Sequence, residues 1–141
     1  MMTRPHVLTV RNLLGVLLVV GLAAVCATAV LALEPWVAPD DAAAKANPVA
    51  GKAEATEKGK TVFTTNCVPC HGELGKGDGA AGQYLDPKPK DLSAEATQSQ
   101  KDGALFWKIT NGRGVMPAFG AMIPEEDRWA AINYIRQLAK K

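Results

Sequence analysis

Five consecutive residues, Cys67-Val68-Pro69-Cys70-His71, concentrate most of the reactive chemistry in this chain. Two thiols three positions apart reach the vinyl groups on one edge of a porphyrin and form thioether bonds, and the adjacent imidazole reaches the iron from one face. C-x-x-C-H is the attachment pattern of haem c. Three other readings compete. A zinc site needs more Cys or His ligands, and the remaining ones, Cys26 and His6, lie far upstream. A thioredoxin-like dithiol needs a βαβ setting, and no stretch alternates apolar and polar residues for long enough to form a strand. A chance match would leave the domain short of a core, as argued below.

An iron held by His71 needs a sixth ligand from the opposite face. His6 precedes the uncharged run at 13–33, so a second histidine is not at hand. Met116, Met122 and, more distantly, a lysine remain. Met116 sits in Asn111-Gly112-Arg113-Gly114-Val115-Met116-Pro117-Ala118-Phe119-Gly120. Glycines there let the backbone approach a porphyrin, and Pro117 stiffens the loop. Met116 is therefore the expected ligand, giving the His/Met pair that raises cytochrome potentials. Met122, beside Pro124, is expected to be an apolar packing residue. Arg113, next to the ligand loop, is a candidate partner for a haem propionate.

These residues need elements to hold them, and residues 57–141 read as an all-α domain. One helix is expected over 54–66 with Val62 and Phe63. A second covers 102–111 and stops at Gly112, with Leu105 and Ile109 sharing its buried face. The third starts with Pro124 at its first position. Glu125, Glu126 and Asp127 suit its N-terminal dipole, and Arg136, Lys140 and Lys141 its C-terminal end. Ala131, Ile132, Tyr134, Ile135, Leu138 and Ala139 form its apolar face. Trp129 projects with Asn133 and Arg136 instead, and neither it nor Trp107 has an assigned role at this stage. Three short helices with long Gly- and Pro-rich loops at 72–101 and 112–123 bury little apolar surface. A domain so small needs a cofactor, metal or disulfide as part of its core, and a lone C-x-x-C pair makes no disulfide scaffold.

Together these segments resemble class I c-type cytochromes of the monohaem bacterial kind. The resemblance covers about residues 55–141. It rests on Gly59 and Phe63, on CVPCHGELGKGDG at 67–79, on DGALFWKITNGRGVMPAFG at 102–120 and on PEEDRWAAINYIRQL at 124–138. It implies a cytochrome c fold around one covalent haem, whose first and last helices cross with Gly59 allowing the approach and Phe63 and Tyr134 packing there. It also implies that a proline carbonyl, from Pro87 or Pro89, orients the axial histidine.

Upstream, the 21 residues at 13–33 carry no charge and no proline. As a helix they reach ~31 Å, the thickness of a hydrocarbon core. Arg4 and Arg11 precede them, so residues 1–12 are expected in the cytoplasm and the haem domain on the outer, periplasmic side of a bacterial membrane. Ala27-Thr28-Ala29 also fits a signal-peptide cleavage site, although the apolar run continues beyond it. Val25 is too large to precede a lipobox cysteine, which leaves Cys26 an ordinary residue of the run. Residues 34–56 hold alanines, prolines and scattered charge, and read as a flexible tether. The anchor makes the chain similar to tethered cytochrome subunits of respiratory or photosynthetic complexes, such as those of alternative complex III.

Charge narrows the partners. Among 141 residues, 16 Lys and Arg face 14 Asp and Glu, a formal net charge of +2, which excludes the footprint of a nucleic-acid binder. Three cysteines and two histidines exclude cysteine-ligated iron–sulfur clusters and multi-histidine metal sites. The expected function is one-electron transfer to redox protein partners, as a tethered carrier or as a subunit of a membrane complex, with no small-molecule substrate. A secreted cytochrome after signal cleavage is one alternative. A haem enzyme or gas sensor is another, which would need an open sixth position and distal acid–base groups.

Overall fold

A computed structural model describes residues 35–139 of the protein. The chain divides into two units, residues 1–36 and 37–141, and the fold below is that of the second. The segments expected as cytoplasmic N-terminus (1–12) and as span or signal peptide (13–33) lie outside the described residues. Among the described residues, no helix is long and apolar enough to cross a membrane.

The second unit is helical, as its sequence pattern predicts. Its helices are α1 (Asp40–Ala43), α2 (Ala53–Asn66), α3 (Val68–His71), α4 (Glu95–Gln98), α5 (Asp102–Asn111) and α6 (Glu125–Leu138), with 3-10 turns at Gly82–Tyr84 and Phe119–Ala121. The three long helices fall where expected, except that Pro124 stands just before α6 as its N-cap. Glu125, Glu126 and Asp127 occupy the first turn of α6 and Arg136 its last, each sign opposite to the dipole end it meets.

Helices α2 and α6 pack along each other, and Gly59 sets how closely. A Cβ at Gly59 would stand 1.9 Å from the carbonyl oxygen of Ala130, so only a hydrogen fits at the crossing. Phe63, one turn further along α2, is fully buried and meets Tyr134 with ring centroids 5.2 Å apart and planes at 53°. This tilted contact adds to the area the two rings bury. Ile135 and Leu138 complete that cluster, with half-buried Cys67, Val68, Leu92 and Ile109 against it. A second cluster joins Leu105, Phe106, Trp129 and Ile132, with Val49 and Ile109 at its edge. Leu105 and Ile109 thus share the inner face of α5, and Ile109 touches both clusters.

Two expectations fail, and they fail together. The stretch 34–56 was expected as a tether, yet Ala38 and Ala42 are buried and α1 packs on α5. Beyond α1, the Asn47 side-chain amide donates to Asp102 Oδ2 at 3.2 Å, to Asn133 Oδ1 at 3.0 Å and to the Trp129 carbonyl at 3.4 Å. Asn133 returns a bond to the Val49 carbonyl at 2.7 Å. Residues 38–52 are therefore a strap laid over α5 and α6, and α2 begins at Ala53. Small alanines let the strap lie close, and its anchoring is polar, so it lacks the bulky apolar residues that advertise a core.

The second failure concerns α6, which was expected to bury one broad face. Every residue from Arg128 to Ile135 is buried, because α2 covers one side and α5 with the strap covers the other. Trp129, 3% exposed, stacks on Phe106 at 3.9 Å with planes 9° apart. The face carrying Trp129, Asn133 and Arg136 is the one the strap covers. Arg136 binds Asp102 Oδ1 through Nη2 at 2.7 Å and Nε at 2.9 Å, and the Gln98 carbonyl through Nη1 at 2.8 Å. Ala139, expected on the apolar face, is exposed past the helix end.

Gly59→Ala is expected to destabilise the holoprotein by about 3 kcal/mol, since the added methyl meets backbone that cannot move aside. Asn47→Ala should cost about 2 kcal/mol, because Asn133 Oδ1 loses its donor and the Val49 N–H loses the Asn47 Oδ1 acceptor it meets at 3.0 Å. Denaturant unfolding followed by far-ultraviolet circular dichroism measures both.

Candidate haem site

α2 runs through Cys67 almost without a break into α3. Cys67 N–H donates to the Phe63 carbonyl at 2.8 Å, and the Cys67 carbonyl accepts from His71 N–H at 2.8 Å and Cys70 N–H at 3.1 Å. Cys67, Cys70 and His71 are thus positions i, i+3 and i+4 of one turn and share one face. The two cysteines form no disulfide and are half-buried. Burial, reinforced by the nearby Cys70, pushes the Cys67 thiol up to about 12, so without a covalent partner it stays protonated.

His71 is held by the loop that follows. Gly72, at φ 78°, ends α3 and turns the chain back, and the Leu92 amide closes onto the Gly75 carbonyl at 2.7 Å. This brings the Lys90 carbonyl to His71 Nδ1 at 3.1 Å. A carbonyl only accepts, so Nδ1 carries the proton and Nε2 keeps its lone pair for a metal. Burial lowers the pKa of the imidazole, outweighing the Lys90 carbonyl that raises it, and so favours the neutral ligand form. The carbonyl that orients His71 thus belongs to Lys90, where Pro87 or Pro89 was expected. The Pro89 carbonyl is turned instead against Gly77, 2.3 Å from where a Cβ would stand. The Lys90 carbonyl, one residue on, is the one that meets the imidazole.

Met116 is presented by a tight turn. Arg113 and Met116 exchange both backbone hydrogen bonds at 3.0 Å. Gly112, at φ 62°, makes the return feasible, because a Cβ there would stand 2.5 Å from the Met116 carbonyl oxygen. Met116 is half-buried, whereas Arg113 and Val115 on the same turn are exposed. Met122 was expected to pack as an apolar residue, yet it is 67% exposed. The 3-10 turn at Phe119–Ala121 buries Phe119 and leaves Met122 pointing outward at its end.

The donor set fits a haem. Two thiols and a neutral imidazole with a free Nε2 occupy one helical turn, beside a cluster whose half-buried apolar rim includes Val68, Leu92 and Ile109. A zinc-type cage does not form: among the described residues, no group of three or more His, Cys, Asp or Glu gathers around a point.

Comparison with known proteins agrees with this geometry. A family model described as "Cytochrome C oxidase, cbb3-type, subunit III" matches residues 54–135, well over half of the chain. The chain belongs to this cytochrome c family. Its domain is a monohaem class I c-type cytochrome, and its chemistry is electron transfer by a c-type haem. The cbb3-type cytochrome c oxidase subunit CcoP of Azospirillum brasilense is 36% identical over 87 residues, covering 61% of this chain but only 29% of that subunit. Cytochrome c6 of Microcystis aeruginosa is 36% identical over 83 residues, covering 59% of this chain and 96% of the relative. Cytochrome c6 of Porphyra purpurea is 32% identical over 88 residues, covering 60% and 73%. A chain of the Kuenenia stuttgartiensis reducing HAO-like protein complex superposes with a TM-score of 0.55 at 23% identity, covering 64% of this chain and 46% of that one, and shares the fold. The whole strap, residues 38–52, precedes the stretch matched by the family model.

Covalent attachment is directly testable. The wild-type polypeptide should still stain for haem after acid-acetone extraction and denaturing electrophoresis. Cys67→Ser with Cys70→Ser should abolish that stain and leave the domain largely unfolded by circular dichroism.

Proposed function

We propose that this chain is a one-electron carrier in which Cys67 and Cys70 hold a single haem c through thioether bonds and His71 and Met116 are the axial ligands. The observation that carries the reading is the His71–Lys90 hydrogen bond, which fixes the tautomer and aims Nε2 away from the loop. The haem supplies a reversible one-electron change at its iron. The chain's residues would orient the imidazole through the Lys90 carbonyl, offer the half-buried Met116 thioether as the second ligand, and border the group with the apolar rim of Leu92 and Ile109. With His71 and Met116 both on the iron no position would remain for a substrate, which separates this reading from a haem enzyme or gas sensor. The 57–141 stretch carries 12 Lys and Arg against 10 Asp and Glu, a balance that suits brief docking to redox proteins through a small, wet interface.

In this reading residues 13–33 anchor the chain in a bacterial cytoplasmic membrane with the haem domain on its periplasmic side. The name of the A. brasilense relative, an oxidase subunit, supports a subunit of an electron-transport complex over a tethered carrier that roams.

Met116→Ala should remove the weak near-infrared sulfur-to-iron band of the ferric protein, lower its potential and let the ferrous form bind carbon monoxide. The same changes in Met122→Ala alone would reassign the ligand. Intact-mass measurement of the purified protein should find the N-terminus retained, and a chain beginning near Val30 would mean a cleaved signal peptide. Extraction in mild detergent should recover the chain with other membrane subunits, and recovery as a lone monomer would favour the carrier.

A further inference from the structure

Met116 is carried by residues 112–123, and both ends of that stretch close on one side chain. Arg128, in the first turns of α6, is only 7% exposed. Its Nε–H donates to the Ile123 carbonyl at 3.1 Å, where the stretch runs into α6. Its Nη1–H donates to the Thr110 hydroxyl, in the last turn of α5 just before Gly112. Thr110 gives its own hydroxyl proton to the Phe106 carbonyl at 2.7 Å, so its lone pairs are free to face the guanidinium. The guanidinium lies over the Phe106 ring, 4.7 Å from its centroid, and Phe106 in turn stacks on Trp129.

Each half of the 112–123 stretch holds its own shape. Arg113 and Met116 close the first turn, and the Phe119 carbonyl accepts from Met122 and Ile123 amides at 3.1 and 2.9 Å in the second. Between them Pro117 and Ala118 are exposed. Local bonds therefore shape the two turns, and Arg128 fixes where the ends of the stretch stand relative to each other. Among the described residues no carboxylate forms an ion pair with Arg128. A buried cation without a counter-charge is an expensive way to fill space that an apolar side chain would fill. What the planar fork offers is two donors at fixed separation, reaching both ends at once, which an ammonium does not.

The geometry points to Arg128 as a positioning residue for Met116: by clamping Thr110 to Ile123 it keeps the thioether sulfur on the iron. This rests on the reading of Met116 as axial ligand. The prediction is made for the holoprotein, with imidazole as the competing ligand and the sulfur-to-iron band as readout. Arg128→Gln should raise the apparent affinity of the ferric protein for imidazole about tenfold, the equivalent of losing one charge-assisted hydrogen bond. Arg128→Lys should fall between it and wild type. Asn47→Ala, which weakens the fold at the strap away from the ligand loop, should leave imidazole affinity within about twofold while lowering the melting temperature. Equal shifts in Arg128→Gln and Asn47→Ala would overturn the clamp and make the effect one of global stability. If Arg128→Gln yields no holoprotein, Arg128→Lys decides by the same comparison, and a wild-type affinity overturns the proposal. A wild type lacking the sulfur band overturns the Met116 reading itself and the clamp with it.

Discussion

The crossing at Gly59 governs this domain. Only a hydrogen separates α2 from the Ala130 carbonyl, so the two long helices meet at backbone distance and their relative position is fixed by contact with main chain. Phe63 and Tyr134 lock the crossing from one side. Because α2 continues through Cys67 into α3, the same contact decides where the two thiols and His71 stand. The turn bearing Cys67, Cys70 and His71 is thus an extension of that backbone crossing. In the proposed function this would give the iron an environment that barely moves between valence states.

What surrounds α6 is less usual for its length. Eight consecutive residues from Arg128 are buried, although an amphipathic helix on the surface of a small domain normally leaves half its circumference to water. The strap explains this. Asn47 satisfies Asp102 and Asn133 on a face that would otherwise be solvated, and Arg136 spans from α6 to Asp102 and the Gln98 carbonyl. Each polar side chain on that face has a partner, so burial there does not strand a donor or acceptor.

The contrast between what was and was not readable follows from where the information lies. The Cys67–His71 turn is legible because the proposed thioether chemistry and axial ligation would need particular side chains at adjacent positions, and the helical turn brings those side chains to one face. The ligand-loop geometry around Met116 is legible through Gly112, whose φ of 62° few other residues adopt. The Lys90 carbonyl is invisible in the sequence because every residue supplies one, and only the turn of the backbone selects it. The strap is invisible for a related reason: its alanines and its single asparagine pack by fitting and hydrogen bonding, and hydrophobic periodicity carries no trace of either. Trp129 was placed correctly on its helix face, but its Phe106 partner lies on α5, and pairing between helices has no local signature.

Arg128 belongs to the same class of hidden information and shows what that class can do. On a helical wheel it is one more charge near an acidic helix start, where a basic residue is even a poor match for the dipole. Its meaning comes from three elements at once, the end of α5, the end of the ligand stretch and the Phe106–Trp129 stack. A thioether is a weak neutral ligand, so its hold on iron depends on how little freedom its loop has to drift away. Glycines are needed in that loop to bring the backbone close, and glycines are also what make a loop loose. The two requirements conflict within residues 112–123 themselves, and the restraint must then come from outside them. A rigid two-donor side chain rooted in α6, the helix fixed by the Gly59 crossing, supplies it, and the loop inherits the rigidity of the fold without giving up its glycines.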